Sequence, residues 1–519
     1  MQRAPPDTAD ANGSHLLLVS ITMKPMRTIP RKVRGIALTG AFALALAGCG
    51  AGATSSGASD AGSGSPSASA KPSAPKKTEV AALSPRVVLA HDGGVTTIDA
   101  ESGEVLGTEK LDGYVRLNPA GDGRHVMLSH GEQFTAYDTG LIEQPHGDHK
   151  HFFEQEPRIT DVTVKAPHPG HVVPHGERTA LFSDETGQIT IMDPSALADG
   201  DLGAAVTTKT DAPHHGVAVP LADGGLLTTQ GTEDERTTVQ VKDKNGKVTA
   251  ETKDCPGVHG EAVAEPTEKG DVVALGCENG PVVYRDGKFH KVAPIAGAER
   301  SGNLKGSENS SIILTDGEPK AEDGDGSEAS TVIGLLDTRT GKQQKVDLGS
   351  PYWFRSLERG PEGEAIVLTA DGKLRIIDPE TGKPIHEVPV VKPWKEPKNW
   401  QQAAPLVTVA DGTAFVTEPA TKKLHLVDIE SGKLYRSLDL PEVPHEVLVT
   451  TGSPSGEVEV SGGHDHEHGH EGEASDGGGE HHGHDHDHDH GADQHGHDHE
   501  GHDHDDHDHG AEGTKDGEN

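Results

Sequence analysis

Eight times between residues 82 and 451 the sequence repeats one phrase: two or three strand-forming residues, an Asp or its equivalent, then a turn that usually ends in Gly. The copies read TTIDAESG, FTAYDTG, ITIMDPS, VQVKDKNG, VVYRDG, IGLLDTRTG, LRIIDPETG and LHLVDIESG. Their Asp residues, Asp99, Asp138, Asp193, Asp243, Asp286, Asp337, Asp378 and Asp428, lie 39 to 55 positions apart. A period of that length with several short strands per unit argues against a helical solenoid and predicts an all-β chain folded as a β-propeller. The count is eight blades; seven is the alternative if the irregular second or sixth unit is not a complete blade.

One unit shows how each blade is specified. EAIVLTADGKLRIIDPETGKPIHEVPV gives a strand at Ala365 to Thr369, a turn with Asp371 and Gly372, a strand at Lys373 to Asp378, a turn closed by Gly382, and an outer strand interrupted by Pro384. Gly stands where a tight reversal needs positive φ, and Pro where an edge strand tolerates a missing donor. These are strands B, C and D, and the stretch around Phe354 to Glu358 supplies strand A. The first unit starts directly at its strand B, RVVLAHDGG, whereas PHEVLVTT at residues 444–451 is a spare strand. It is expected to complete blade one and close the ring.

The flanks are different materials. Of 34 His, 17 precede residue 452 and 17 follow it, and from Gly452 onward 21 acidic residues face one Lys, so about half of the formal charge of −38 sits in the tail. Residues 452–519 have too little apolar surface to offset chain entropy and are expected to be disordered. That charge, with no basic stripe, excludes nucleic acid as a partner. At the other end, Arg27, Arg31, Lys32 and Arg34 precede GIALTGAFALALAGC, too short to span a membrane but suited to a signal-peptide core. LAGC resembles a bacterial lipobox with Cys49 as the lipidated residue; the alternative is an ordinary secretory signal with an incidental Cys. Residues 1–49 are therefore read as signal peptide, with Met23 or Met26 the better start. Residues 50–81, rich in Ala, Ser, Gly and Pro, are read as a linker with a reach of roughly 30 Å, tethering the 82–451 propeller to the outer face of the cell membrane. In an oxidising compartment Cys255 and Cys277 are expected to pair as a disulfide, with thiolate metal ligands as the alternative.

The histidines of the folded part cluster in motifs at blade starts: VVPHG with His175, APHHG with His214 and His215, GVHGE with His259, and VPHEV with His445. The connection from strand D to the next strand A lies on one face beside the channel, as do the loops between strands B and C. His175, His215 and His259, 40 and 44 positions apart, would each come from one of three adjacent blades. Three neutral imidazoles plus a carboxylate, thiolate or water form a ligand set that zinc favours. His91, His130, His168 and His171 map to the same face, and so, on weaker grounds, does His125; Glu261 is a further candidate ligand. The structural alternative is that such His side chains only hydrogen-bond a neighbouring strand. A second cluster, HGDHKH with His146, Asp148, His149 and His151, sits in an enlarged hairpin between the third and fourth strands of blade two, which strand counting places on the opposite face. In the tail, His464, His466, His468, His470, His481, His482, His484, His486, His488 and His490 alternate with acids and glycines, and are read as a weak, fast-exchanging metal buffer.

VVPHGERTALFSD, APHHG and CPGVHGEA, together with the His-rich loops, resemble the secreted zinc metallochaperones called AztD, β-propellers associated with zinc ABC importers. The resemblance implies Zn(II) binding without catalysis, His175, His215 and His259 as the metal site, and delivery by direct contact to the importer's solute-binding protein. A monomer is expected. The lipobox and the His-Asp tail depart from the family pattern. The rival readings are a propeller hydrolase or lactonase that activates water on a channel metal, and a surface interaction module whose tail buffers metal. Imidazole also accepts nickel and copper.

Overall fold

The computed structural model describes residues 76–147, 149–317 and 329–454. The signal segment with Cys49, the linker up to residue 75, Asp148 and the tail histidines from His464 to His490 lie outside the described residues.

Eight antiparallel four-stranded units follow one another, each ordered A-B-C-D. Blade one is Pro444–Thr450, Arg86–His91, Gly94–Asp99 and Val105–Lys110, so its strand A comes from the far end of the sequence and closes the ring. Blade two is Arg116–Pro119, His125–His130, Gln133–Asp138 and Arg158–Lys165. Blade three is Pro169–His175, Arg178–Ser183, Gln188–Met192 and Val206–Lys209. Blade four begins at Ala218–Pro220, and blade five at His259–Thr267 followed by Gly270–Gly276. Blades five and six share one parallel pairing, Ala264 with Ser307, between their first strands. Among the described residues the blade count is therefore eight.

The repeated Asp residues stand at the ends of the C strands, where local chemistry explains the repeat. Oδ1 of Asp99 accepts from the backbone N–H of Ser102 at 2.7 Å, Asp378 from Thr381 at 2.8 Å, and Asp428 from Ser431 at 2.8 Å. Each carboxylate thereby satisfies a turn donor that no strand reaches. Strands B and C are sandwiched between neighbouring blades and buried on both sides, as in Ala365–Thr369, whereas D strands such as Lys342–Asp347 face solvent. Between blades four and five the seam is Val219, Leu227, Val239 and Val241 against Val273, Leu275 and Val282. Removing one such Leu side chain costs about 2–5 kcal/mol.

Blade two carries the insertion that its irregular repeat suggested. Leu141–His146 and His149–Glu154 form a hairpin before the fourth strand, on the face of the A–B and C–D turns. Thr78–Val80, assigned from sequence to the linker, is a third strand of this hairpin, pairing with Phe152 to Glu154. That segment is therefore structured, and the linker boundary moves back to before Thr78. Its partner is an insertion some seventy residues away, so no local pattern announces it.

Candidate metal centre

Three consecutive blades bring an imidazole to one mouth. His171 opens strand A of blade three, His215 lies just before strand A of blade four, and His259 opens strand A of blade five. Each stands forty-four positions beyond the last. Their ring centroids are 5.1, 5.6 and 5.1 Å apart, and one nitrogen of each lies within 4.8 Å of the others. All three are half-buried, held in place but open to an approaching ligand.

The ring nitrogens behind the cluster are engaged. His215 Nδ1 is 2.6 Å from Asp184 Oδ2, and His259 Nδ1 donates to the carbonyl of Gly302 at 2.8 Å. His171 Nδ1 lies 3.0 Å from Glu261 Oε2. For His215 and His259 a carboxylate and a carbonyl accept there, so Nδ1 carries the proton and Nε2 keeps its lone pair, whereas Glu261 faces His171 as a charge. Such outer contacts fix the tautomer of a metal-ligating His and raise its basicity. Glu261 is thus placed behind His171, although the sequence suggested it as a direct ligand.

Electrostatics separates the three rings. Burial disfavours charge on His171, but the Glu261 carboxylate outweighs it and raises the pKa; Glu261 is held low in return, against its own burial. His259 falls to about 4, through burial first and then the neighbouring His171 charge. His259 is neutral at pH 7 and ready to donate its lone pair.

The disulfide between Cys255 and Cys277 sits under this face. It ties the connection leading to His259 to the end of strand B of the same blade, so both sulfurs are consumed in structure and neither is a ligand.

The inserted hairpin holds a second group. His146 Nδ1 and His149 Nε2 lie 3.1 and 3.2 Å from His151 Nε2. His151 Nδ1 is 2.8 Å from Glu79 Oε1. The pattern of the first group recurs: an acid behind the ring, a nitrogen facing its neighbours. The rings are largely exposed.

With both groups located, the kinship of the chain can be stated. No family model matches it. It is 26% identical over 373 residues to the zinc chaperone AztD of Citrobacter koseri, covering 69% of this chain and 84% of the relative. The crystal structure of Citrobacter koseri AztD superposes with a TM-score of 0.61 at 23% identity, over 72% of this chain and 98% of that one. Apo AztD from the same organism gives 0.60 at 23%, over 71% and 98%. The chain resembles AztD in sequence and in fold.

Within this AztD-like propeller, several sequence-predicted ligands are placed elsewhere. His175 is the main correction. The sequence put it before a strand A, but Gly176 and Glu177, with φ of 57° and 61°, form a two-residue hairpin turn after it, pairing His175 with Arg178. His175 is therefore at the opposite mouth, its Nδ1 2.9 Å from Glu308 and its Nε2 3.4 Å from Asp271. Burial opposes its charge, yet its bonds to Asp271 and Glu308 prevail and raise its pKa to about 9. His125 also belongs to that mouth, 2.5 Å from Asp122, and with His175 lines a cavity of about 1080 Å³.

Others stay on the first face as structural side chains. His91 and His130 bond the Thr five positions on, Thr96 at 2.9 Å and Thr135 at 3.1 Å, bracing the B–C turns. His214 is buried, bonding Ala212 O at 3.0 Å and Thr229 Oγ1 at 2.9 Å. His445 donates to Val115 O at 3.3 Å and stacks on Tyr114. His168 is exposed with φ of 49° and is not among the clustered rings. Asp184, Gly302 and Glu79 were missed. Asp184 could have been found, since it follows strand B of blade three and B–C turns open on this face.

Proposed function

We propose that this chain is an extracytoplasmic zinc metallochaperone that captures Zn(II) and passes it to the solute-binding protein of a zinc ABC importer. The observation that carries the reading is the convergence of His171, His215 and His259, each with its Nδ1 directed at a protein acceptor. Three neutral imidazoles leave a tetrahedral ion one position for water or an incoming ligand, which is what transfer requires. The AztD relatives, named as zinc chaperones, support zinc as the cargo.

The reading includes a lipid anchor at Cys49, a monomer tethered by its linker, and a His-Asp tail that gathers metal. Hydrolysis is disfavoured by the acids present. Glu261 and Asp184, the carboxylates beside the cluster, each face a ring Nδ1 rather than a free position where a base would stand.

Transfer by contact has a kinetic signature. Zinc-loaded protein mixed with increasing apo solute-binding protein is expected to release zinc faster than it does to a dilute small chelator, with a rate that rises with acceptor concentration. A release rate equal to spontaneous dissociation at every acceptor concentration contradicts a chaperone role.

A further inference from the structure

The mouth that holds His171, His215 and His259 carries an exposed aromatic side chain on its far side. Eight large apolar residues are exposed among the described residues. Six of them stand on D strands, at the outer edges of the blades. The other two, Trp400 and Val443, stand on the connections that lead into strand A of blades eight and one, both on this face. Trp400 is held firmly. Earlier in its connection, Trp394 donates its backbone N–H to the carbonyl of Ala370 at 2.8 Å and its ring N–H to that of Thr369 at 3.0 Å. Asn399 then closes a turn, its Oδ1 accepting from Gln401 N at 3.0 Å and its carbonyl from Gln402 N at 2.9 Å, so Trp400 sits on the crest.

Residues from other blades complete the seat. The Trp400 ring meets Tyr114 edge-on, with centroids 5.2 Å apart, and the Arg116 guanidinium lies over it at 5.8 Å. Beneath them Arg355, ion-paired with Glu446, donates to Tyr114 Oη at 3.2 Å and to the Trp400 carbonyl at 3.3 Å. Trp400 is nevertheless 43% exposed. An aromatic ring already fixed in place loses little freedom when a partner covers it, and Trp and Arg are the residues that anchor protein interfaces. Charge singles out the same place. The chain carries a formal charge of −38, yet residues 390–406 hold three Lys against one Glu, and Lys392, Lys395, Lys398 and Arg116 are all exposed. Arg116 opens strand A of blade two, which packs against strand A of blade three, the strand that carries His171.

We propose that Trp400, with Lys395, Lys398 and Arg116 around it, is the docking surface for the protein that takes zinc from this mouth, and that this acceptor presents a hollow for the indole ringed by acidic side chains. The inference rests on the chaperone reading above. An acidic acceptor is repelled by most of so negative a chain and attracted to its basic rim, so the encounter is steered to the one face where the imidazoles stand. Burial of the indole then holds the two proteins together while the ion changes ligands.

The test follows zinc from the full chain, loaded with one equivalent, to the importer's apo solute-binding protein, and in parallel to a small chelator. Trp400→Ala is expected to slow transfer to the protein about tenfold or more, as loss of an interface anchor should. The double variant Lys395→Glu, Lys398→Glu is expected to slow it too, and to flatten the fall in rate that the native chain shows as salt is raised. Both should match the native chain within about twofold in zinc affinity and in release to the chelator, because neither touches the ion. Tyr435→Ala, exposed on the D strand of blade eight, should transfer at the native rate. Native transfer rates in the Trp400 and Lys variants overturn the inference, as does an equal loss in Tyr435→Ala or an unchanged salt dependence in the Lys variant. A native chain whose transfer ignores acceptor concentration overturns the chaperone reading and this inference with it, whereas acceptor-dependent transfer that survives the rim substitutions overturns this inference alone.

Discussion

Asp184 and Glu261 show how much of the candidate centre is decided by residues that would not touch the ion. Each accepts from, or faces, the Nδ1 of a ring on another blade, so Asp184→Asn is expected to weaken zinc binding about 10–100-fold with the fold intact, measured by chelator competition with circular dichroism as control. His175 is expected to act on stability instead. Its folded pKa, about 9, is above the unfolded value of about 6.5. Its contribution is therefore fully present below pH 6.5 and lost as pH rises through 9. The melting-temperature gap between the native chain and His175→Gln should be largest near pH 6 and close towards pH 10; a gap that widens with pH contradicts the assignment. At this scale the sequence was informative only where a His has a fixed place relative to a strand start. His215 and His259 qualify. His175 does not, because Glu177 adopts a positive φ that its side chain gives no reason to expect. Partners that meet from distant parts of the sequence, such as Glu79 with His151, leave no local trace.

Elements were far more legible. The repeated Asp accepts turn donors at the ends of C strands, apart from Asp286, which accepts from the Thr267 hydroxyl, so its period reports the blades. The strand Ala365–Thr369 falls where alternation and turn residues place it, and Pro384 opens the outer strand of that blade. Thr78–Val80 was hidden because its partner is an inserted hairpin, not a neighbouring repeat. The disulfide belongs to this scale as well. It closes a loop of 22 residues under His259, and by chain entropy its loss should cost about 3 kcal/mol. Denaturant unfolding of the Cys255→Ser, Cys277→Ser double variant checks this, and weaker zinc binding should accompany it because the segment carrying His259 loses its anchor.

For the whole molecule, closure is the decisive feature. Pro444–Thr450 pairs along the length of Arg86–His91, joining the last blade to the first. A chain ending at residue 443 is expected to lose cooperative unfolding, whereas one ending at residue 454 should keep it, as denaturant titration would report. Closure also assigns the faces: one mouth gathers His171, His215 and His259, the other gathers His175, the root of the tail and the hairpin. The most direct measurement is a zinc titration of the protein ending at residue 454 with His146, His149 and His151 replaced by Ala. The account predicts one tight zinc per molecule, lost when His171, His215 or His259 is changed to Ala and kept when His175 is. No tight zinc in that protein, or a tight site indifferent to all three substitutions, would contradict it.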